Sequence, residues 1–264
     1  MASPPKITLS FLVYLCLFCS FSRASSDSGK VSLGLYYESL CPYSANFIIN
    51  DLVELFEDDE LFSVVDLHLS PWGNARLKGN DSFVCQHGPS ECLLNTVEAC
   101  AINVWPQLEE HFPFIYCIES LVHERKFPEW ESCFETLGLD PKPVIDCYNS
   151  GYGKELELQY AAETNALQPP HQYVPWVVVD GQPLYEDYDN FISYICKAYN
   201  STTTHKRTAA PKACSEVSRY AIQRGKSRPI VPVCYKEKKM STLSRRIISA
   251  ISLWMQQTNE AAYM

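Results

Sequence analysis

The sequence predicts an α/β domain interrupted by a disulfide-rich helical insertion, and three observations carry that prediction. A strand–helix–strand pattern opens at Val31. A helix–hairpin–helix pattern closes by Asn200. Between them lies a helical stretch holding Cys85, Cys92, Cys100, Cys117, Cys133 and Cys147.

The first strand is "VSLGLYYES", Val31 to Ser39, rich in β-branched and aromatic residues. Ile48, Leu52, Leu55 and Phe56 then share one face at helical spacing, which predicts an amphipathic helix over about Pro42 to Phe56. "LFSVVDLHLSPW" reads as a second strand ending near Pro71, which completes a β-α-β unit with a parallel crossover. From Cys85 to about Cys147 the pattern is helical. Cys85, Cys92 and Cys100 recur every two helical turns or so, which would place them on one helix face, stapled to neighbouring segments. Regular signals return with the helix "GKELELQYAAETNAL", stopped at Pro169-Pro170. "YVPWVVVDGQPLY" is a strand, an Asp180-Gly181 turn and a short return strand. "YDNFISYICKAY" is a closing helix whose Phe191, Tyr194 and Ile195 share a face. With the insertion removed, the order is β-α-β, helix, β-hairpin, helix, which is that of a thioredoxin-like domain.

The compartment follows from the first residues. Lys6 precedes the apolar run "ITLSFLVYLCLFCSF", and Ser22 and Ala24 are the small residues a signal peptidase requires, so residues 1–24 read as a secretory signal. The run is too short to span a bilayer, and no later segment is long enough, so no transmembrane segment is expected. Asn80 and Asn200 each begin an Asn-x-Ser/Thr triplet and are candidate glycosylation sites. Of 12 cysteines, Cys16 and Cys19 leave with the signal, so 12 − 2 = 10 remain, and in an oxidising compartment most should be bridged. Residues 25–204 carry 8 Lys+Arg against 28 Asp+Glu, a balance of −20, whereas residues 205–264 carry 12 against 3, a balance of +9. So acidic a body excludes nucleic acid as its natural partner.

The chemistry centres on "YYESLCPYSANF". Cys41 stands where the first strand turns into the helix, and Pro42 suits the first helical position. Unsatisfied N–H groups and the positive dipole end stabilise a thiolate there. Cysteines so placed can fall from a pKa of about 8.5 into a range of roughly 3.5–7.5. Val174-Pro175 opens the third strand, where in thioredoxin-like domains a cis proline packs against the active cysteine. The backbone before that proline offers hydrogen bonds to an extended substrate, a form of strand addition.

"CQHGPSECLLNTVEAC" resembles the signature of the gamma-interferon-inducible lysosomal thiol reductase (GILT) family: CQHG, two residues, EC, two residues, N, and a terminal C. Cys85, Gln86, His87, Gly88, Glu91, Cys92, Asn95 and Cys100 fill every fixed position. "SPWGNA", "LGLDPKPVIDCYNSGYGKELE" and "YVPWVVVDG" are also similar to family segments, and the resemblance runs from about Val31 to Cys214. It implies a thioredoxin-like fold with a helical insertion, and disulfide reduction in a lysosome-like compartment or after secretion. Family members carry Cys-x-x-Cys, whereas this chain has Cys41-Pro42-Tyr43-Ser44. Ser44 can hydrogen-bond a Cys41 thiolate but cannot resolve a mixed disulfide, because a hydroxyl is not a redox nucleophile at these potentials.

The expectation is therefore a thiol–disulfide oxidoreductase of the secretory pathway, located in the lysosome, vacuole or extracellular space, acting through Cys41 with Ser44 as its polar neighbour. Its partners are disulfide-containing proteins, its reductant is an external small thiol, and no other cofactor is implied. The rival is a binding protein on the same scaffold that traps disulfide substrates without turning them over. With Cys41 set aside as free, Cys85, Cys92, Cys100, Cys117, Cys133, Cys147, Cys196 and Cys214 make eight, enough for four bridges of unassigned pairing. Cys234 is left over in the tail. The spacing lacks the short Cys-x₂₋₄-Cys pairs of structural zinc sites, so no metal is expected. His87 is read as ordering the insertion and His68 as a strand residue needing one hydrogen-bond partner. The domain then occupies residues 25–214 with its insertion at about 85–147. The basic end, 215–264, shows no family resemblance. It reads as an end without fixed structure, ahead of a membrane-surface helix built on Leu243, Ile247, Ile248, Ile251 and Trp254. Nothing in the sequence sets the oligomeric state.

Overall fold

In a computed structural model of the chain, residues 29–79, 82–201, 211–215 and 233–236 are described. The signal segment, Asn80 and the amphipathic stretch after Met240 lie outside them.

Strand β1 (Val31–Tyr37) is the centre of the sheet. It pairs in parallel with β2 (Val65–Pro71), from Val31 opposite Val65 to Tyr37 opposite Pro71. The crossover between them begins with α1 (Pro42–Phe47), widens into a π-helical turn at Ile48–Leu52, and ends in two short helices, α2 (Glu54–Glu57) and α3 (Asp59–Ser63). One amphipathic helix was expected over this stretch. The extra winding shifts its register, yet Ile48, Leu52 and Leu55 are all buried. The side chain of Asp58 caps α3 by accepting a hydrogen bond from the Leu61 N–H at 3.0 Å.

After a small hairpin that the sequence did not announce, β3 (Arg76–Lys78) with β4 (Ser82–Val84), the chain enters the insertion. Its helices are α4 (Pro89–Val104), α5 (Leu108–His123), α6 (Ser132–Leu137) and α7 (Lys142–Asn149), followed by α8 (Tyr152–Asn165). Two bridges staple it: Cys100 to Cys147 joins α4 to α7, and Cys117 to Cys133 joins α5 to α6. Gly153 lets α8 lie against the first of these. A Cβ there would sit 2.6 Å from the Thr96 methyl and 2.9 Å from the Cys100 sulfur.

The chain returns to the sheet through β5 (Tyr173–Val174), β6 (Trp176–Val179) and β7 (Gln182–Pro183), and closes with α9 (Phe191–Ser201). β6 runs antiparallel to β1, with Leu33 opposite Val179, and the sheet order is β2-β1-β6-β7. Asp180 and Gly181 turn the β6–β7 hairpin with positive φ at both positions, +46° and +77°. Phe47 of α1 meets Tyr188 and Phe191 edge-on at 5.3 and 5.6 Å, which packs α1 against the closing helix and the turn that leads into it. Cys196 in α9 is bridged to Cys214. Asn200 is exposed near the end of α9. Among the described residues no helix is long and apolar enough to cross a membrane.

One further strand comes from the tail. β8 (Cys234–Tyr235) pairs antiparallel with β5, Val174 opposite Cys234 and Tyr173 opposite Tyr235. The expectation of an end without fixed structure is therefore corrected at residues 233–236.

Candidate active site

Cys41 takes the N-cap position of α1 with an extended backbone, φ −72° and ψ 115°, and Pro42 follows in the first turn. Its carbonyl accepts the first helical hydrogen bond, from Ala45 N–H at 3.0 Å. Val174-Pro175 is a cis peptide, and the Val174 carbonyl oxygen lies 3.8 Å from the Cys41 sulfur. Cys41 and Ser44 at the start of α1 and Val174 and Pro175 between β5 and β6, far apart in sequence, thus share one buried site. The Ser44 hydroxyl is fully buried and has no hydrogen-bond partner among the described residues, so in this state it does not hydrogen-bond the Cys41 sulfur.

The main departure from expectation is that Cys41 is not free. It forms a disulfide with Cys234, 193 residues away in sequence, with a Cα–Cα distance of 6.2 Å. The bridge packs with Val174. The remaining eight cysteines close among themselves as Cys85–Cys92, Cys100–Cys147, Cys117–Cys133 and Cys196–Cys214. Cys85 precedes α4 and bonds to Cys92 within it, so the three cysteines do not form one helix face bonded outward.

The tail strand is held by more than its sulfur. Lys236 N–H donates to the Gln172 carbonyl at 2.8 Å. The Asn74 amide donates to the Cys234 carbonyl at 3.0 Å, and the Gln86 amide donates to the Tyr235 carbonyl at 3.0 Å. Asn74 also donates to the Gln86 side-chain oxygen at 2.8 Å, tying the two readers together. The His87 Nε2 lies 3.9 Å from the Cys234 sulfur, while its Nδ1 makes a short contact with the Glu91 carboxylate and sits 3.7 Å from Glu38. Burial, then the charge of Glu91, pushes the Glu38 carboxyl up to about 9, so it is protonated across the acidic and neutral range. Glu38 accepts from Asn74 N–H at 2.7 Å. Gly73 permits this approach, since a Cβ there would lie 2.4 Å from the Glu38 side chain.

Glu38, His87 and Cys234 each bring one donor atom within 4.8 Å of the others. A disulfide sulfur is not the thiolate that ligates metals, so in the oxidised state these are acid–base groups around a bridge.

A sequence model of the family described as Gamma interferon inducible lysosomal thiol reductase (GILT) matches residues 32–137. The Gamma-interferon-responsive lysosomal thiol protein of Arabidopsis thaliana is 44% identical over 204 residues, covering 76% of this chain and 82% of that protein. The chain belongs to the GILT family. The Gamma-interferon-inducible lysosomal thiol reductase of Mus musculus is 33% identical over 203 residues, covering 74% of this chain and 76% of that protein. Among solved structures, the DsbA of Chlamydia trachomatis superposes with a TM-score of 0.50 at 15% identity, over 67% of this chain and 90% of that one. That likeness concerns the fold, which is thioredoxin-like with a disulfide-rich helical insertion.

The GILT signature acquires physical roles here. Cys85 and Cys92 close a short loop that presents Gln86 and His87 to the tail strand. Gly88 adopts φ +95° where the loop enters α4. Glu91 holds His87 through both its backbone N–H and its ring. Asn95 reaches the turn before Cys41, accepting from Ser39 N–H at 3.0 Å and from the Ser39 hydroxyl at 2.7 Å. Cys100 staples α4 from behind. His87 therefore lies beside the Cys41–Cys234 bridge as well as ordering the start of the insertion. His68 is half exposed and pairs with Glu163 at 2.7 Å. Sequence reasoning missed Cys234, Asn74, Gln172 and Glu38. For Cys234 the signal was present: eight bridged cysteines leave two, and those two are Cys41 and Cys234.

Proposed function

We propose that this chain is a thiol–disulfide oxidoreductase of the secretory pathway that reduces or exchanges protein disulfides through Cys41. One observation carries the reading: Cys41 is disulfide-bonded to an extended segment that pairs antiparallel with the strand ending at cis Val174-Pro175. A mixed disulfide with a substrate strand would have that geometry, with main-chain pairing at β5 and a sulfur drawn against the Cys41 sulfur.

The steps follow from the groups present. A Cys41 thiolate, favoured at the start of α1, attacks one sulfur of a substrate disulfide and bonds to it. The other sulfur leaves as a thiolate and takes a proton. Val174 and Gln172 offer main-chain pairing to the bound segment, and Asn74 and Gln86 hold its carbonyls. When a second thiolate attacks the Cys41 sulfur, the Cys41–substrate bond breaks, and His87, beside the bonded sulfur, protonates it as it departs. An external small thiol reduces the protein for the next cycle. The natural setting is the lysosome, the vacuole or the extracellular space, and the substrates are disulfide-containing proteins.

The test is turnover of a denatured disulfide protein at mildly acidic pH with a small thiol supplied. The natural protein should turn over and Cys41→Ser should fall to the uncatalysed rate. Equal rates in the two would contradict the reading.

A further inference from the structure

We propose that Cys234 is the resolving cysteine of this chain, supplied by the tail in place of the second thiol that position 44 lacks. The inference rests on the Cys41 chemistry proposed above and deepens it.

Three observations carry it. First, position 44 holds a buried hydroxyl with no partner among the described residues, so the helix itself offers no second sulfur. Second, the sulfur that does reach Cys41 is that of Cys234, and the other eight cysteines after the signal are bridged elsewhere. Third, the tail arrives in a built seat. Its backbone is paired along β5, Asn74 and Gln86 hold two successive carbonyls, and the Lys236 N–H is bound by Gln172. An accidental bridge would need none of these hooks.

The reaction balances with the groups at hand. After the first step Cys41 is bonded to one substrate sulfur and the other has left as a thiol. Cys234 gives its proton to His87 Nε2 and attacks the Cys41 sulfur. The Cys41–Cys234 bond forms, the Cys41–substrate bond breaks, and His87 returns the proton to the outgoing substrate sulfur. The substrate disulfide has gained two electrons and two protons, and the Cys41/Cys234 dithiol has lost them. Two equivalents of a small-molecule thiol then reopen the Cys41–Cys234 bridge and become its disulfide. The seat adds a physical reason for release. Tail and substrate compete for one edge of β5, so docking of the tail strand displaces the substrate strand as its sulfur is exchanged.

The experiment counts thiols. Full-length mature protein, reduced at Cys41 and Cys234 and freed of small thiol, is mixed with excess of a peptide carrying one disulfide. Released thiols and protein-bound peptide are read by mass spectrometry. The natural chain should release both peptide thiols per protein and finish as the Cys41–Cys234 disulfide with no peptide attached. Cys234→Ser should release one thiol and retain the peptide on Cys41, and adding Ser44→Cys to that variant should restore the second. A natural chain that also stops at one thiol, or a Cys234→Ser variant that turns over with added small thiol faster than the natural chain, would overturn the proposal and make the tail an occluding segment. If Cys234→Ser captures no peptide at all, the Cys41 reading itself fails.

Discussion

Two disulfides of this chain are equally hidden and chemically opposite. Cys100–Cys147 has exposures of 0% and 8%, and Cys41–Cys234 has 0% and 7%. The first is surrounded by helices packed so closely that Gly153 has no room for a methyl group. The second lies under a polar cradle of Asn74, Gln86 and His87, against a strand of two residues. Burial therefore does not separate a structural bridge from an exchanging one. What separates them is whether a small local opening frees the bridge and whether an acid–base group waits beside it. Lifting β8 breaks a few main-chain and side-chain hydrogen bonds. Exposing Cys100 requires separating α4 from α7 and α8.

The largest contrast should come from deleting each bridge. Cys41→Ser should remove turnover while the insertion stays folded. Replacing Cys100 and Cys147 together by alanine should instead destabilise the domain, by about 4 kcal/mol for a bridge of this span in the chain-entropy account, measured by denaturant unfolding.

Both regions hold carboxyls that burial raises, Glu38 beside the tail bridge and a larger set against the insertion, so both should lose stability as pH rises. Where β1 meets the insertion, the Tyr37 hydroxyl donates to Glu98 of α4, and Glu119 of α5 and Glu157 of α8 are buried close enough to feel the charge of Glu98. Burial raises Glu98 from 4.5 to about 8, and burial with the charge of Glu98 raises Glu119 and Glu157 well above the usual range. A group whose folded pKa is raised stabilises the fold fully below its unfolded pKa and loses that contribution as pH climbs through the folded value. Thermal stability should thus fall between pH 4.5 and about 8, and Glu98→Gln, which keeps a neutral side chain, should flatten that slope.

Smaller effects sharpen the same contrast. Gly153→Val should cost roughly 1–3 kcal/mol by overpacking α8 against Cys100 and Thr96, with the Cys41 chemistry unchanged once folded. Asn74→Ala should do the reverse. Losing the bond to the Cys234 carbonyl, worth about 1 kcal/mol, should make the tail bridge about fivefold easier to open by small thiol, with little change in unfolding.

The framework was legible because its signals are local. β-Branched and aromatic residues mark β1, the Asp180-Gly181 pair marks the hairpin, and Cys41-Pro42 marks the strand-to-helix turn. The signature was legible as a pattern, but its purpose was not, because Gln86 and His87 act on a segment about 150 residues later. The tail's place was hidden for a related reason: two residues pairing across such a separation leave no periodicity, and the basic composition around them points elsewhere. Parity of the cysteines was the one sequence clue, and treating Cys41 as free obscured it.

The most direct measurement is graded reduction of the natural protein by a small thiol at mildly acidic pH, with alkylation and mass mapping at each step. The account predicts that Cys41 and Cys234 are labelled together, at thiol concentrations well below those that label Cys100 and Cys147. Labelling of Cys100 and Cys147 at the same concentration, or first, would contradict it.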